Sequence, residues 1–235
     1  VVKLSIRTVD LSKKYGYSYA LRSINLQVSG GEIFGVLGPN AAGKTTLLKL
    51  FAALTMPTEG FVEVLGFDSL RNRRRIHQLA GYLPHEPLLY RDLTGIENLH
   101  FYSRFYTPLS GGWQERIDEL LEILKIKRWC YELVKNLSSG LRKRFDIARV
   151  LLHDPKLILL DEPFSGLDVE SQDIVYNLIN NMRGKRIIVF STHNLDQAKR
   201  LCDRTAVLVN GRLVKVLDKE QLLSIETSKL FMEED

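Results

Sequence analysis

Apolar and polar positions alternate with a period of two over residues 2–9 and again over 20–28, which predicts two strands with one buried face each. Ile33-Phe34-Gly35-Val36-Leu37 replaces that alternation with a continuous apolar run, as a parallel strand covered on both faces requires. From Lys44 to Leu54 the spacing is helical, and residues 61–66 return to a strand pattern. Residues 94–106 and 114–126 predict two helices, the second with Ile117, Leu120, Leu121 and Leu124 on one face, and Thr107 to Gly112 between them reads as a loop. Two more continuous runs, Leu157-Ile158-Leu159-Leu160 and Ile187-Ile188-Val189-Phe190, predict buried strands. Ala206 to Val216 carries Asn210-Gly211 at its centre, a pair suited to a two-residue hairpin turn with φ > 0 at both positions. Residues 218–235 predict a short helix and a charged tail.

Gly38-Pro39-Asn40-Ala41-Ala42-Gly43-Lys44-Thr45 fits the phosphate-loop pattern GxxxxGKT in full. A strand precedes it and a helix follows, so successive backbone N–H groups and the positive end of the helix face one point, where a phosphate chain fits. Lys44 would reach the β- and γ-phosphates, the Thr45 hydroxyl would ligate Mg²⁺, and Thr46 continues the same turn. The strand Leu157–Leu160 ends on Asp161-Glu162, and a parallel sheet delivers such residues to its ligand-binding edge. Asp161 is the candidate Mg²⁺ partner and Glu162 the candidate general base for an attacking water. These motifs define an α/β chain with a P-loop NTPase (RecA-like) core, an antiparallel β subdomain and an inserted helical subdomain. The expected boundaries are 1–85 and 151–220 for the core, 86–150 for the helical part and 221–235 for a tail.

Leu137-Ser138-Ser139-Gly140-Leu141-Arg142-Lys143-Arg144 resembles the signature LSGGQxxR of the ABC ATPases. Further residues match that family in order: Tyr15-Gly16 resembles the aromatic loop that stacks on adenine, Ser165-Gly166-Leu167-Asp168 the loop that crosses the dimer interface, and His193 the switch histidine at the γ-phosphate. The resemblance implies two such subunits, as a homodimer or heterodimer, sandwiching two ATP molecules. Each site would take the phosphate loop of one chain and Ser138, Ser139 and Gly140 of the other. It also implies integral-membrane transporter subunits contacting residues near 86–106, and a peripheral place on the cytoplasmic face of the cell membrane.

Four positions depart from the family pattern. Ala41 stands where glycine is common, and an alanine there is strained if φ is positive. Ser139 and Leu141 replace a glycine and a glutamine of the signature. His85, in Gly81-Tyr82-Leu83-Pro84-His85-Glu86, stands where the family has the glutamine that senses Mg²⁺ and water. A histidine there, with Leu93 to Tyr102 and an LSxG signature, is similar to the haem-exporter ATPases of cytochrome c maturation, although exporters of drugs, lipids or polysaccharides share much of the pattern. A soluble ABC ATPase of DNA repair or translation usually carries long insertions or a second nucleotide domain, and a phosphate-loop switch or kinase outside the family would lack Leu137–Arg144 and His193.

Composition changes this picture little. With 45% hydrophobic and 26% charged residues in 235, a full core is expected. The net charge of +5 tolerates an anionic ligand without demanding nucleic acid, and none is expected. Cys130 and Cys202 lack metal-ligand spacing and read as reduced thiols. No apolar run approaches the roughly 18–20 residues of a membrane span, so any spanning segments belong to other chains.

Overall fold

The first alternating stretches pair as antiparallel strands β1 (Ser5–Tyr15) and β2 (Ser18–Ser29), joined at Gly16-Tyr17. Both are longer than the alternation predicts, because register shifts after Thr8 break the period of two while pairing continues to Tyr15. The computed structural model describes residues 5–106 and 112–226. Most of the expected loop at 107–112, the start of the first expected strand and the expected tail from 227 onward lie outside the described residues.

The chain continues through β3 (Ile33–Leu37), α1 (Lys44–Phe51), β4 (Glu59–Val64), β5 (Phe67–Asp68), α2 (Arg73–Leu79) and β6 (Ala80–Leu83). Helix α1 stops short of Leu54 because Ala53 takes a left-handed conformation, φ 52°. The arginine-rich run 71–75 opens α2 and is mostly exposed, a solvated helix face. Helices α3 (Gly95–Ser103), α4 (Gly112–Ile123) and α5 (Ser139–Leu151) follow, with an isolated bridge Thr94–Leu133 and no strand among the described residues between β6 and β7 (Leu157–Asp161). The chain then runs α6 (Val169–Asn181), β8 (Ile187–Thr192), α7 (Leu195–Leu201), β9 (Arg204–Val209), β10 (Arg212–Asp218) and α8 (Lys219–Ser224). At the β9–β10 turn Asn210 and Gly211 have φ 48° and 76°, the left-handed pair that the sequence demands.

Two sheets result, ordered β2-β1-β4-β5 and β10-β9-β3-β8-β7-β6. In the second, β6, β7, β8, β3 and β9 are parallel and β10 adds an antiparallel edge. The continuous apolar runs work because both faces of this sheet are covered. Phe34, Val36, Leu157, Leu159, Ile187 and Val189 meet α1 and the antiparallel sheet. Their neighbours Ile33, Leu37, Ile158, Leu160, Ile188 and Phe190 meet the core that contains the helical segment. Strand β3 pairs only with β8 and β9, so its neighbours come from the far end of the chain.

His153 joins the helical segment to the sheet. Its ring stacks on Tyr106 with centroids 3.9 Å apart and an interplanar angle of 4°, and its Nε2 lies 3.2 Å from Ala80 O. Burial, with Arg149 and Arg116 adding to it against the opposing Ala80 bond and Asp154, pushes its pKa down to about 4. Between pH 6.5 and about 4 the unfolded chain therefore binds a proton that the folded chain refuses. The sign makes stability rise with pH across that window. Stability from this group is complete above pH 6.5, and about 3 kcal/mol of it is lost on acidification to about 4. Denaturant melts of wild type and His153→Phe across this range check it: the gap between the two curves should close as pH falls, and a constant gap would contradict the assignment.

Candidate active site

Strand β3 feeds the phosphate loop directly into α1. Gly38 N donates to Thr192 O at 3.2 Å, tying the loop's start to the end of β8. Two glycines are required by geometry. A Cβ on Gly38 would come within 2.4 Å of Leu208 O, and Gly43, at φ 99°, would place one 2.5 Å from Ala20 O. Behind the loop, Gly211 N donates to Ala42 O at 3.2 Å and Arg22 N to Gly211 O at 2.8 Å, so the β9–β10 turn and β2 both brace it.

Ala41 has φ 63°, the left-handed region in which a Cβ is strained. Ala41→Gly should therefore raise stability by roughly 1 kcal/mol, after the added entropy of the unfolded chain is subtracted. A thermal melt that moves down would show that this strain is absent.

A cavity of about 610 Å³ opens over the loop, lined by Asn40, Ala41, Ala42, Gly43, Lys44, Thr45 and Thr46, by Ala20 from β2, and by His85, Asp161, Glu162, Ser165 and His193. Lys44, 7% exposed, donates from Nζ to Gly38 O at 2.8 Å and Pro39 O at 3.1 Å, and lies 3.4 Å from Glu162 Oε1. The same Glu162 oxygen is 3.2 Å from His193 Nδ1. Lysine, carboxylate and histidine thus converge although they come from α1, the end of β7 and the end of β8. Glu162 has φ 49°, an uncommon conformation for a glutamate, held by its N–H donating to Ser191 Oγ at 3.0 Å.

Asp161 is 1% exposed and fully engaged: Oδ2 accepts from Thr45 Oγ1 at 2.7 Å, and Oδ1 from Ser191 Oγ at 2.6 Å. Thr45 and Asp161 form a hard-oxygen pair of the kind Mg²⁺ takes together with nucleotide oxygens. Among the described residues no group of three or more His, Cys, Asp or Glu could hold a metal alone. An ion here would need the nucleotide to complete its shell, which suits a nucleotide-borne Mg²⁺.

The remaining candidates stand apart from this cavity. Tyr15, half exposed at the end of β1, has Lys13 Nζ 5.0 Å from its ring centroid and is not in the cavity lining. Ser138 caps α5 by accepting from Leu141 N at 3.2 Å, and Ser138 and Ser139 are exposed. Ser139 Oγ donates to Gly166 O at 3.2 Å, a bond that a glycine could not make. Asp168 caps α6 by accepting from Ser171 N at 2.7 Å, and this bond lowers its pKa. The exposed Ser138–Ser139 end is thereby joined to the Gly166–Asp168 loop on one side of the molecule.

Ser191 and Ala20 had no predicted role. Ser191 could have been noticed as a hydroxyl at the end of an otherwise apolar strand, but Ala20 reaches the site only through the pairing of β2.

The phosphate loop after β3 of a parallel sheet, with an acidic pair at the end of β7 two strands over, defines a P-loop nucleotide-binding domain of the ATP-hydrolysing kind. The chain belongs to the ABC transporter family, whose model matches residues 21–165, and it carries that family's ATPase domain. It is similar to Nod factor export ATP-binding protein I of Rhizobium etli, at 35% identity over 87% of this chain and 65% of that protein. It thus spans just under two thirds of that relative's length. It is also similar to the ABC transporter ATP-binding protein NatA of Bacillus subtilis, at 34% identity over 89% of this chain and 86% of that one. Among solved structures, the ATP-binding subunit of an ABC transporter superposes with TM-score 0.86 at 27% identity, covering 96% of this chain and 97% of that one. A bacterial ABC transporter cassette solved as a dimer gives TM-score 0.83 at 26% identity over 91% and 98%.

Proposed function

We propose that this chain powers export through separate integral-membrane subunits, by binding ATP between two ATPase chains and hydrolysing it. The observation that carries the reading is the meeting of Lys44, Glu162 and His193 at one carboxylate oxygen, beside the Thr45–Asp161 pair. In this reading the triphosphate lies along Gly38–Thr46, with the Lys44 cation on the β- and γ-phosphates and adenine on Tyr15. Thr45 and Asp161 would hold the nucleotide's Mg²⁺, which would neutralise phosphate charge, and His85, in the same cavity lining, would stand ready to hydrogen-bond water beside it. Glu162 takes the proton of the attacking water, and His193 hydrogen-bonds the γ-phosphate. Ser138, Ser139 and Gly140 face the nucleotide of the second chain, identical or related, with Asp168 at the crossing between them.

Export is supported by the name of the Rhizobium etli relative. The narrower haem or cytochrome c biogenesis reading rests on His85, Leu93–Tyr102 and Ser139, and the relatives named above lend it no support, so the cargo is assigned to the membrane subunits. The contact with those subunits is proposed at residues 86–106, where Leu88, Tyr90 and Phe105 are exposed and Tyr90, Phe101, Tyr102 and Phe105 pack edge to edge. Among the described residues no helix is long and apolar enough to cross a membrane, which fits a peripheral subunit on the cytoplasmic face.

The test is sizing of the Glu162→Gln chain with and without Mg-ATP. A shift from monomer to dimer that needs ATP supports the sandwich. A chain that binds no ATP would overturn the proposal.

A further inference from the structure

The loop that carries His85 is held at nearly every second residue, chiefly by one face of α5. Lys143 Nζ donates to His85 O at 2.8 Å and reaches Pro84 O at 3.5 Å. One turn on, Asp146 accepts from Leu88 N at 3.3 Å, and Arg149, paired with Asp146, donates to Tyr82 O at 3.1 Å. Tyr102 Oη donates to Leu88 O from the other side. Residues 143, 146 and 149 lie three apart, so they share one helix face.

Lys143 is the unexpected member. It is 3% exposed, and burying an ammonium costs several kcal/mol that a neutral side chain of similar length would avoid. Burial lowers its pKa, while the negative charges of Asp146, Asp161 and Glu162 pull the other way. Its hydrogen bonds go to backbone carbonyls, which fixes where the His85 loop sits rather than the state of any side chain. The residue lies five positions beyond Ser138, about 7.5 Å along a rigid helix. Lysine, loop and the capped end of α5 therefore move as one piece, and a displacement of α5 is delivered to His85.

We infer that Lys143 is a positioning residue for hydrolysis, setting His85 at the nucleotide by clamping the carbonyls of Pro84 and His85 to α5. The inference rests on the ATPase reading given above. A clamp acts on the geometry of turnover and leaves the phosphate loop untouched. Lys143→Met should keep Mg-ATP affinity within about threefold, measured in the Glu162→Gln background, and lower turnover about tenfold or more without a matching change in KM. Lys143→Arg, which keeps the cation and its donors, should recover most of the rate.

Because Lys143 acts through His85, the two losses should not add. In a His85→Ala chain, Lys143→Met should cost less than about twofold further. Turnover of Lys143→Met within twofold of wild type, or fully additive losses in the double variant, would overturn the inference. A loss of affinity and thermal stability together would do so too, since it would mark Lys143 as structural only. If the Met variant does not fold, Lys143→Gln carries the same comparison. Failure of the unaltered chain to bind ATP would instead remove the ATPase reading itself.

Discussion

Glu162→Gln should lower ATP turnover by about 10²–10⁴-fold, the contribution of a positioned general base, while Mg-ATP affinity stays within a few fold. The amide keeps the shape of the side chain, and its oxygen can still accept from Lys44 and His193, so the wall of the cavity is preserved. What it loses is the ability to take a proton from water. The consequence is an ATP-bound state that does not decay, and the chain should retain unhydrolysed nucleotide through a desalting column. Single-turnover assays at saturating ATP isolate the chemical step. Hydrolysis at the wild-type rate would remove Glu162 from the role of base, and His193, which shares its oxygen at 3.2 Å, would become the group to test.

Lys44→Ala should weaken nucleotide binding by two to three orders of magnitude, about 3–4 kcal/mol. Two charge-assisted hydrogen bonds to phosphate, each worth roughly 1.5–3 kcal/mol, account for that size. A second effect adds to it. Lys44 is the cation 3.4 Å from the Glu162 carboxylate, whose side chain is only 12% exposed. Without the lysine, that carboxylate faces the incoming triphosphate with its charge uncompensated. The double variant Lys44→Ala, Glu162→Gln should therefore bind ATP better than Lys44→Ala alone. Titration with a fluorescent ATP analogue checks both statements, and unchanged affinity in Lys44→Ala would mean that phosphates do not lie along this loop.

The parts of the site that could be read from the sequence are those whose residues are contiguous. Gly38 to Thr46 announces its geometry because the strand, the loop and the first helical turn follow one another. Asp161-Glu162 is legible because a run of four apolar residues delivers it to the sheet edge. Lys143 and Ser191 are harder to read for the opposite reason: their partners, His85 and Asp161, are far away in the chain, Lys143 looks ordinary where it stands, and Ser191 shows only as a hydroxyl at the end of an apolar run, with no sign of what it bonds. The fold divides in the same way. Strands β3, β7 and β8 show as continuous apolar runs, whereas β6 is four residues long and includes Gly81, and only its pairing with β7 makes it a strand. The helical spacing runs past the helices' C-terminal ends, since Ala53 and Lys125 reverse the chain with left-handed φ that alanine and lysine do not advertise.

The bracing of the phosphate loop by the β9–β10 turn bears on how the protein is born. Strand β3 and the loop after it leave the ribosome early, but both hydrogen-bonded neighbours of β3 and the Gly211 contact to Ala42 come from the last quarter of the chain. Pairings of such long sequence separation form slowly, because most of the polypeptide must be closed into a loop before any of them is rewarded. A nascent chain that has just exposed Thr46 holds the whole motif and the β2 side of its wall, but not the β9–β10 turn that braces the loop from behind. Nucleotide can therefore act as a reporter of this late pairing: the loop is braced from behind only once Gly211 has emerged, and ATP captured before then would find a loop still free to move.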